Sequence, residues 1–405
     1  INRFVERGSI FMKIMAINAL NNSLEYTLYD VPDNNIIANG NISRIGLEES
    51  FFSIKFNSEK ITEAVEINDF VQTVRVLFDK LITLNVIKSA DEIKGIGHRV
   101  VHGGSIYSTS TFINDKVIDD VESLSNLAPL YNSNEAKVMR AFREVVPNIM
   151  MVAVFDTAFY QTIKEEDYLY SVPYDWYVNY GVRKYGFYGT SHKYVCDVVR
   201  KLLNRDDFKL ISCHLGNGGS VTAIDSMKAV DTSTGFTPLS GVMMGTRSGD
   251  IDPSIIPYVM EREGKNVGEV IEDLNQNSGL LGLSKCSSDM RDIIEACDNG
   301  DNRALVAKNK FVRRVVDYIA QYYALLGGVD VIAFTAGIGE NSVSVRREIC
   351  ERLSCFGVKI DLDLNTKRGE LVKISTDDSS VDVYIIPTDE ELMIANEAYK
   401  LIVNR

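Results

Sequence analysis

The chain has 405 residues, 45% of them apolar and 24% charged, a balance that belongs to a globular protein and, at this length, to two cores of roughly 150 to 200 residues each. Its formal charge of −13 speaks against a nucleic-acid or anionic-membrane partner, which needs a net basic face. No apolar run approaches the ~18 residues of a membrane span, no signal-peptide core opens the chain, and the scattered cysteines and histidines form neither a disulfide framework nor zinc-ligand spacing, so a cytoplasmic protein is expected.

In chain order, Met12 followed by "KIMAIN" reads as the natural start, with residues 1–11 an extension. "KIMAIN" and "EYTLYD" flank the tight strand-to-strand turn in "NALNNSLEY" (18–26). Further apolar runs follow: "VMRAFREVV" (138–146), the buried strand "IMMVAVF" (149–155), "LISCHL" (210–215), "SVTAID" (220–225), the long run 305–326, "DVIAFTA" (330–336), "DVYIIP" (382–387) and the C-terminal helix "EELMIANEAYKLIV". Strand-like runs alternate with helical ones, which predicts α/β layers. Segments 13–30 and 209–225 both read as apolar strand, Gly/Asn/Ser turn, second strand and terminal aspartate, Asp30 and Asp225. This repeat predicts two related halves, packed against one another with a cleft between them.

Two glycine loops are candidates for anion binding. In His214-Leu215-Gly216-Asn217-Gly218-Gly219-Ser220 the glycines let backbone N–H groups approach an oxyanion. In "FTAGIGEN" a buried strand runs into Ala336-Gly337-Ile338-Gly339-Glu340-Asn341 and then a helix start, whose first N–H groups lack partners. Earlier, in "GIGHRVVHGG" (95–104), strand alternation sets Arg99 and Val101 on one face and His98 and His102 on the other. A guanidinium beside an apolar side chain suits a small carboxylate with a short tail. Thr388 and Glu391 have capping-box spacing at the last helix, which leaves Glu390 free.

Together with "VAVFDTAF" (152–159), "YGFYGTSHKYV" (185–195), "DTSTGFTPLSGVMMGTRSGDIDP" (231–253), "SSDMRDI" (287–293) and "PTDEELMIA" (387–395), these stretches resemble the acetate kinase family, in that family's order from Met12 almost to the end. The resemblance implies an α/β duplicated actin-like ATPase (ribonuclease H-like) fold of two domains with nucleotide in the interdomain cleft. Residues 12–160 with 388–405 form one domain, and 161–387 form a nucleotide-binding, dimer-forming second. It also implies reversible, Mg²⁺-dependent transfer of the ATP γ-phosphoryl group to acetate, with Mn²⁺ as an alternative ion, and a cytoplasmic homodimer whose other partners are small molecules.

By the same resemblance, Arg99 and Arg247 hold the moving phosphoryl group, Asp156 acts on or aligns the attacking group, and Tyr188 stands at the transition-state position. Val101, Leu130, Phe187 and Pro238 line the methyl pocket. His214 to Gly218 (with Leu215, Gly216 and Asn217), Asp289, Met290 and Arg291, and Gly337 to Asn341 (with Ile338, Gly339 and Glu340) contact ATP. Asn18 and Glu390 serve Mg²⁺, as amide and carboxylate oxygens suit a hard cation. In-line phosphoryl transfer needs positioning and charge neutralisation more than covalent help.

The sequence departs from the family at several of these points. Histidine is usual where Tyr131 and Tyr188 stand, asparagine where Asp389 stands, and N-A-G-S-S-S-L-K-Y where the chain has Leu20, Asn21, Asn22 and Glu25. A phenol carries no imidazolium charge near neutral pH. Glu25 puts a carboxylate where a cation would approach the ATP phosphates. Asn21 or Asn22 is expected to supply the positive φ of the missing glycine. These changes leave open a working acetate kinase, a paralogue that binds nucleotide or acyl phosphate with little turnover, and a kinase for another short-chain acid.

Overall fold

The computed structural model describes residues 10–128 and 131–405. They divide into two compact units: the described residues up to Phe159 together with Asp389–Arg405, and Tyr160–Thr388.

The first unit is built on a mixed sheet. Its strands are β1 (Met12–Ala19), β2 (Ser23–Val31), β3 (Asn35–Ser43), β4 (Ser50–Phe56), β5 (Glu59–Val65), β6 (Ile93–Val100), β7 (Thr111–Phe112) and β8 (Met150–Phe155), in the order β5-β4-β3-β2-β1-β6-β8-β7. β1 pairs antiparallel with β2 and parallel with β6, which in turn runs parallel to β8. The period of two is read directly in β1. Met15 and Ile17 point into one cluster with Leu77, Phe78, Val138 and Phe142, from helices α1 (Phe70–Thr83) and α3 (Asn132–Val145). Ile14 and Ala16 point into another with Ile394, Ala395, Ala398 and Ile402 of the C-terminal helix Glu390–Val403. A sheet covered on both faces explains why its central strands are apolar throughout.

The glycines of "GIGHR" have a packing role. A Cβ on Gly97 would lie 2.6 Å from Ile394 Cγ2 and 2.9 Å from the Ile394 carbonyl oxygen, and one on Gly95 would lie 2.2 Å from Ile402 Cδ1. The C-terminal helix rests on bare backbone there, which brings its first turn, with Glu390, toward the end of β6 that carries Arg99.

The second unit repeats the scheme with β9 (Lys209–Leu215), β10 (Gly219–Asp225), β11 (Lys228–Thr232), β12 (Val331–Thr335), β13 (Val372–Lys373) and β14 (Asp382–Ile385), ordered β11-β10-β9-β12-β14-β13. β9 is antiparallel to β10 and parallel to β12, and β12 is parallel to β14. The pattern β2-β1-β6-β8 of the first sheet is therefore matched by β10-β9-β12-β14 of the second. The long helix Asn302–Leu326 packs Phe311, Val315, Ile319 and Tyr322 against Ile211, Cys213 and Val221. Among the described residues no helix is long and apolar enough to cross a membrane.

Three local expectations are corrected. Neither Asn21 nor Asn22 takes a positive φ. The β1–β2 turn closes instead through Leu20 N–H donating to Ser23 O at 2.8 Å, and the Asn22 carbonyl and amide bond to Ile45 N and O at 2.9 and 3.0 Å. The cap of the C-terminal helix is Asp389, whose Oδ1 accepts from Leu392 N at 2.9 Å, rather than a Thr388 box, because an aspartate one residue nearer reaches the third helical amide. The glycine segment after β12 is a short helix, Ala336–Asn341, entered through Ala336 at φ 63°. Its geometry is held by Glu340 Oε1, which accepts from Ala336 N at 2.8 Å and Thr388 N at 3.1 Å.

Candidate active site

In the first unit the ends of β1, β6 and β8 deliver Asn18, Arg99 and Asp156 to one place. The Arg99 guanidinium donates Nη2 and Nε to Asp156 Oδ2 at 2.7 and 3.2 Å and Nη1 to Asn18 Oδ1 at 3.2 Å. Asn18 Nδ2 donates in turn to Glu25 Oε2 at 3.0 Å, across the β1–β2 register in which Asn18 faces Glu25. Both members of the ion pair are nearly shielded, with side-chain exposure of 13% for Arg99 and 1% for Asp156. Burial works against the guanidinium charge, but the carboxylates of Asp156 and Glu390 outweigh it and hold Arg99 protonated. Glu390 is pushed up to about 7 by burial, opposed by Arg99 and aided by Asp156, Glu391 and Glu25.

Val101 lies just past β6 and is buried. Its N–H points at a residue that sequence reasoning missed. Both carboxylate oxygens of Glu135, on α3, stand 3.2 Å from Val101 N. Glu135 is 2% exposed, and burial pushes it up to about 8 against the pull of Arg99. The signal was legible: Glu135 shares the 3–4 residue stripe of Val138, Met139 and Phe142, an acid on an apolar helix face. The loop after β6 is fixed by Gly103 N donating to Thr157 Oγ1 at 2.9 Å and by Asn132 Nδ2 donating to His102 O at 2.8 Å. His98 packs edge-on against Phe142 and is kept neutral by burial, its basicity lowered to about 3. Leu130 lies outside the described residues.

In the second unit Tyr188 opens the helix Gly189–Leu203 at φ 62° and ψ 22°, a left-handed conformation that costs a bulky residue roughly 1–2 kcal/mol and is held by its surroundings. Its ring stacks on His214 with centroids 4.7 Å apart, and its Oη accepts from Arg247 Nη1 at 3.1 Å. A Cβ on Gly218 would lie 1.8 Å from that Oη, so this glycine makes room for the phenol. His214 Nδ1 shares a 2.8 Å hydrogen bond with Ser191 Oγ, which also bonds Thr388 Oγ1 at 2.8 Å. This hydroxyl pair orients the imidazole, another arrangement the sequence reading did not assign. Phe187 is buried, with its N–H donating to Thr234 Oγ1 at 2.9 Å, and Pro238 is half-buried in the loop after β11.

A cavity of about 830 Å³ in this unit is lined by Gly216, Asn217, Asp289, Met290, Arg291, Gly337, Ile338 and Asn341, and by Arg347 and Arg368, which sequence reasoning had not named. Asn217 abuts Gly245, whose added Cβ would lie 1.9 Å from Asn217 Oδ1. Arg291 is forked onto Asp289, with Nη2 to Oδ2 at 2.6 Å. His214, Leu215, Gly218, Gly339 and Glu340 do not line the cavity. The Leu215 side chain belongs to the apolar core, and Gly339 O accepts from the buried Arg346 Nη1 at 2.9 Å.

Two sheets with one strand pattern, each carrying a tight turn between its first paired strands, define the duplicated actin-like ATPase fold. The comparisons narrow this class. Residues 13–396 match the Acetokinase family. The chain is 51% identical over 391 residues to the acetate kinase of Bacillus subtilis (strain 168), spanning 96% of this chain and 99% of that protein. Among solved structures, Porphyromonas gingivalis acetate kinase superposes with a TM-score of 0.93 at 39% identity, covering 96% of this chain and 100% of that one. A propionate kinase from Francisella tularensis gives 0.91 at 36%, covering 96% and 99%. The chain belongs to the acetokinase family.

Proposed function

We propose that this protein is an acetate kinase: a phosphotransferase that moves the γ-phosphoryl group of ATP reversibly onto acetate, giving acetyl phosphate and ADP. The observation that carries the reading is the largely shielded Arg99 guanidinium, fixed by Asp156 and Asn18 near the buried Val101, on a chain half identical to curated acetate kinases. That identity favours a working kinase over a binding paralogue. Asp156 orients Arg99, Arg99 engages the carboxylate and phosphoryl oxygens, and Val101 offers apolar surface to a short acyl chain, the role that the family resemblance also gives Phe187 and Pro238. Arg247, steadied by Tyr188, engages phosphoryl oxygens, and Asn217, Asp289 to Arg291, Gly337, Ile338 and Asn341 take the nucleotide.

The amide oxygen of Asn18 and the partly buried carboxylate of Glu390 suit Mg²⁺, a hard cation. Mg²⁺ commonly binds through one or two protein oxygens, keeping waters and contacting substrate phosphates. When bound it supplies charge neutralisation. We also propose a cytoplasmic homodimer. The helix Tyr174–Tyr180 leaves Tyr174, Trp176, Val178 and Tyr180 between 48% and 72% exposed, an apolar patch suited to a second copy.

The test is acetyl phosphate formation from ATP, Mg²⁺ and acetate, trapped with hydroxylamine, beside calorimetric ATP binding and with propionate as competing acceptor. Nucleotide binding without acyl phosphate would overturn the reading. Light scattering at dilution checks the dimer.

A further inference from the structure

We infer that Glu135 is a positioning residue for the acyl-acceptor site: it grips the Val101 amide at the end of β6, and its carboxyl sets the charge that an incoming anion meets beside Arg99. The inference rests on the reading of Arg99 and Val101 as the acyl-acceptor site.

The geometry is a closed bracket. α3 is fixed at its start by Asn132 Nδ2, which donates to His102 O at 2.8 Å and Val121 O at 3.1 Å. Three residues further on, both Glu135 oxygens reach Val101 N at 3.2 Å. The backbone on either side of Val101 is therefore tied to one helix end. Nothing in the packing requires a carboxylate for this, because a single neutral acceptor satisfies one N–H. What the acid adds is charge.

Arg99 and Asp156 already make a neutral pair. The charged groups that act most strongly on Glu135 are Arg99 from β6 and Asp156 from the turn after β8. His98 and His102 on the same side of β6 are neutral, both drawn down by burial, while Glu390 from the C-terminal helix acts on Arg99. An ionised Glu135 tips this group negative and repels a carboxylate or acyl phosphate; a protonated Glu135 leaves the Arg99–Asp156 pair neutral, so an incoming anion meets the Arg99 N–H groups without that repulsion. Burial favours the protonated form through neutral pH, up to about 8. The KM for acetate should therefore rise with pH as Glu135 ionises.

The experiment compares wild type, Glu135→Gln and Glu135→Ala over roughly pH 6 to 9.5. Wild-type KM for acetate is expected to climb on the order of tenfold above about pH 8. E135Q, which keeps an acceptor for Val101 N–H without the charge, should lose the rise above about pH 8 while keeping any change that Glu390 sets nearer pH 7, and E135A should lose more kcat than E135Q. Parallel KM profiles for wild type and E135Q, or a wild-type KM that stays flat, would overturn the inference; the second outcome needs no variant at all.

A readout independent of turnover separates this from the kinase reading. A carboxyl whose folded pKa is raised contributes stability at low pH that is lost as pH climbs from the unfolded value toward the folded one. The Tm of E135Q should thus gain on wild type from about pH 4.5 to 8 and then run parallel. If no acetyl phosphate forms, the kinase reading fails while this Tm difference still tests Glu135, and Tm curves that never diverge refute the buried charge.

Discussion

Gly218→Ala is the sharpest probe of the second unit. The added methyl would lie 1.8 Å from Tyr188 Oη, 2.8 Å from Cζ and 3.4 Å from Cε1, well inside ordinary contact at about 3.5 Å. The overlap falls on the rigid end of a ring whose own backbone is pinned in the left-handed region at a helix start, so relief must come from swinging the phenol away. That breaks the 3.1 Å bond to Arg247 Nη1, a charged hydrogen bond of roughly 1.5–3 kcal/mol. We expect kcat/KM to fall about 10- to 100-fold, and overpacking of ~1–3 kcal/mol to lower Tm by a few degrees. Hydroxylamine-trapped turnover, with thermal melts alongside, reads both. Tyr188→Phe removes the atom at 1.8 Å, so the double mutant should fall short of the sum of the singles by at least about 1 kcal/mol. Wild-type kcat/KM in Gly218→Ala, or strict additivity with Tyr188→Phe, would refute the reasoning.

Arg99→Lys should cost roughly 10³-fold in kcat/KM, because an ammonium cannot fork onto Asp156 while also reaching Asn18; steady-state kinetics with acetate decide it. Tyr188→Phe alone should lower kcat by about tenfold with little change in acetate KM, through loss of one hydrogen bond to Arg247. Glu25→Lys should lower the KM for ATP several-fold by reversing a charge near the first turn, and an unchanged KM would show that the Glu25 charge does not reach the nucleotide. Ser191→Ala should lower kcat/KM roughly threefold or more by freeing the His214 ring that stacks on Tyr188, and an unaltered kcat/KM would exclude that orienting role.

The sequence made the repeated hairpins visible because a period of two and Asn/Gly turns are local signals. Strand alternation set Arg99 apart, whereas Asp156 and Asn18 were named through the family resemblance; all three stand at or just past the end of a strand. The Asp389 cap was misplaced by one residue, as T-x-x-E and D-x-x-L overlap there and only the backbone decides which oxygen reaches an amide. Asn21 and Asn22 were assigned a left-handed role because turn chemistry alone cannot foresee that Ile45 braces the turn from 23 residues away. Tyr188 was recognised as a departure, but its partner Gly218, 30 residues on, is a fact of packing. Glu135 was passed over although an acid on an apolar stripe was in plain view.

The placement of Asp389–Arg405 against β6 has a consequence for how the protein is made. The second unit is one uninterrupted stretch of chain, whereas the first is assembled from both of its flanks. On the ribosome, β1 to β8 emerge early yet expose the face of Ile14, Ala16 and the bare Gly95 and Gly97 until the last helix has been synthesised. Glu390 joins Arg99 only at that moment. The first unit's core around Ile14 and Ala16 is therefore complete only when both ends of the chain are present.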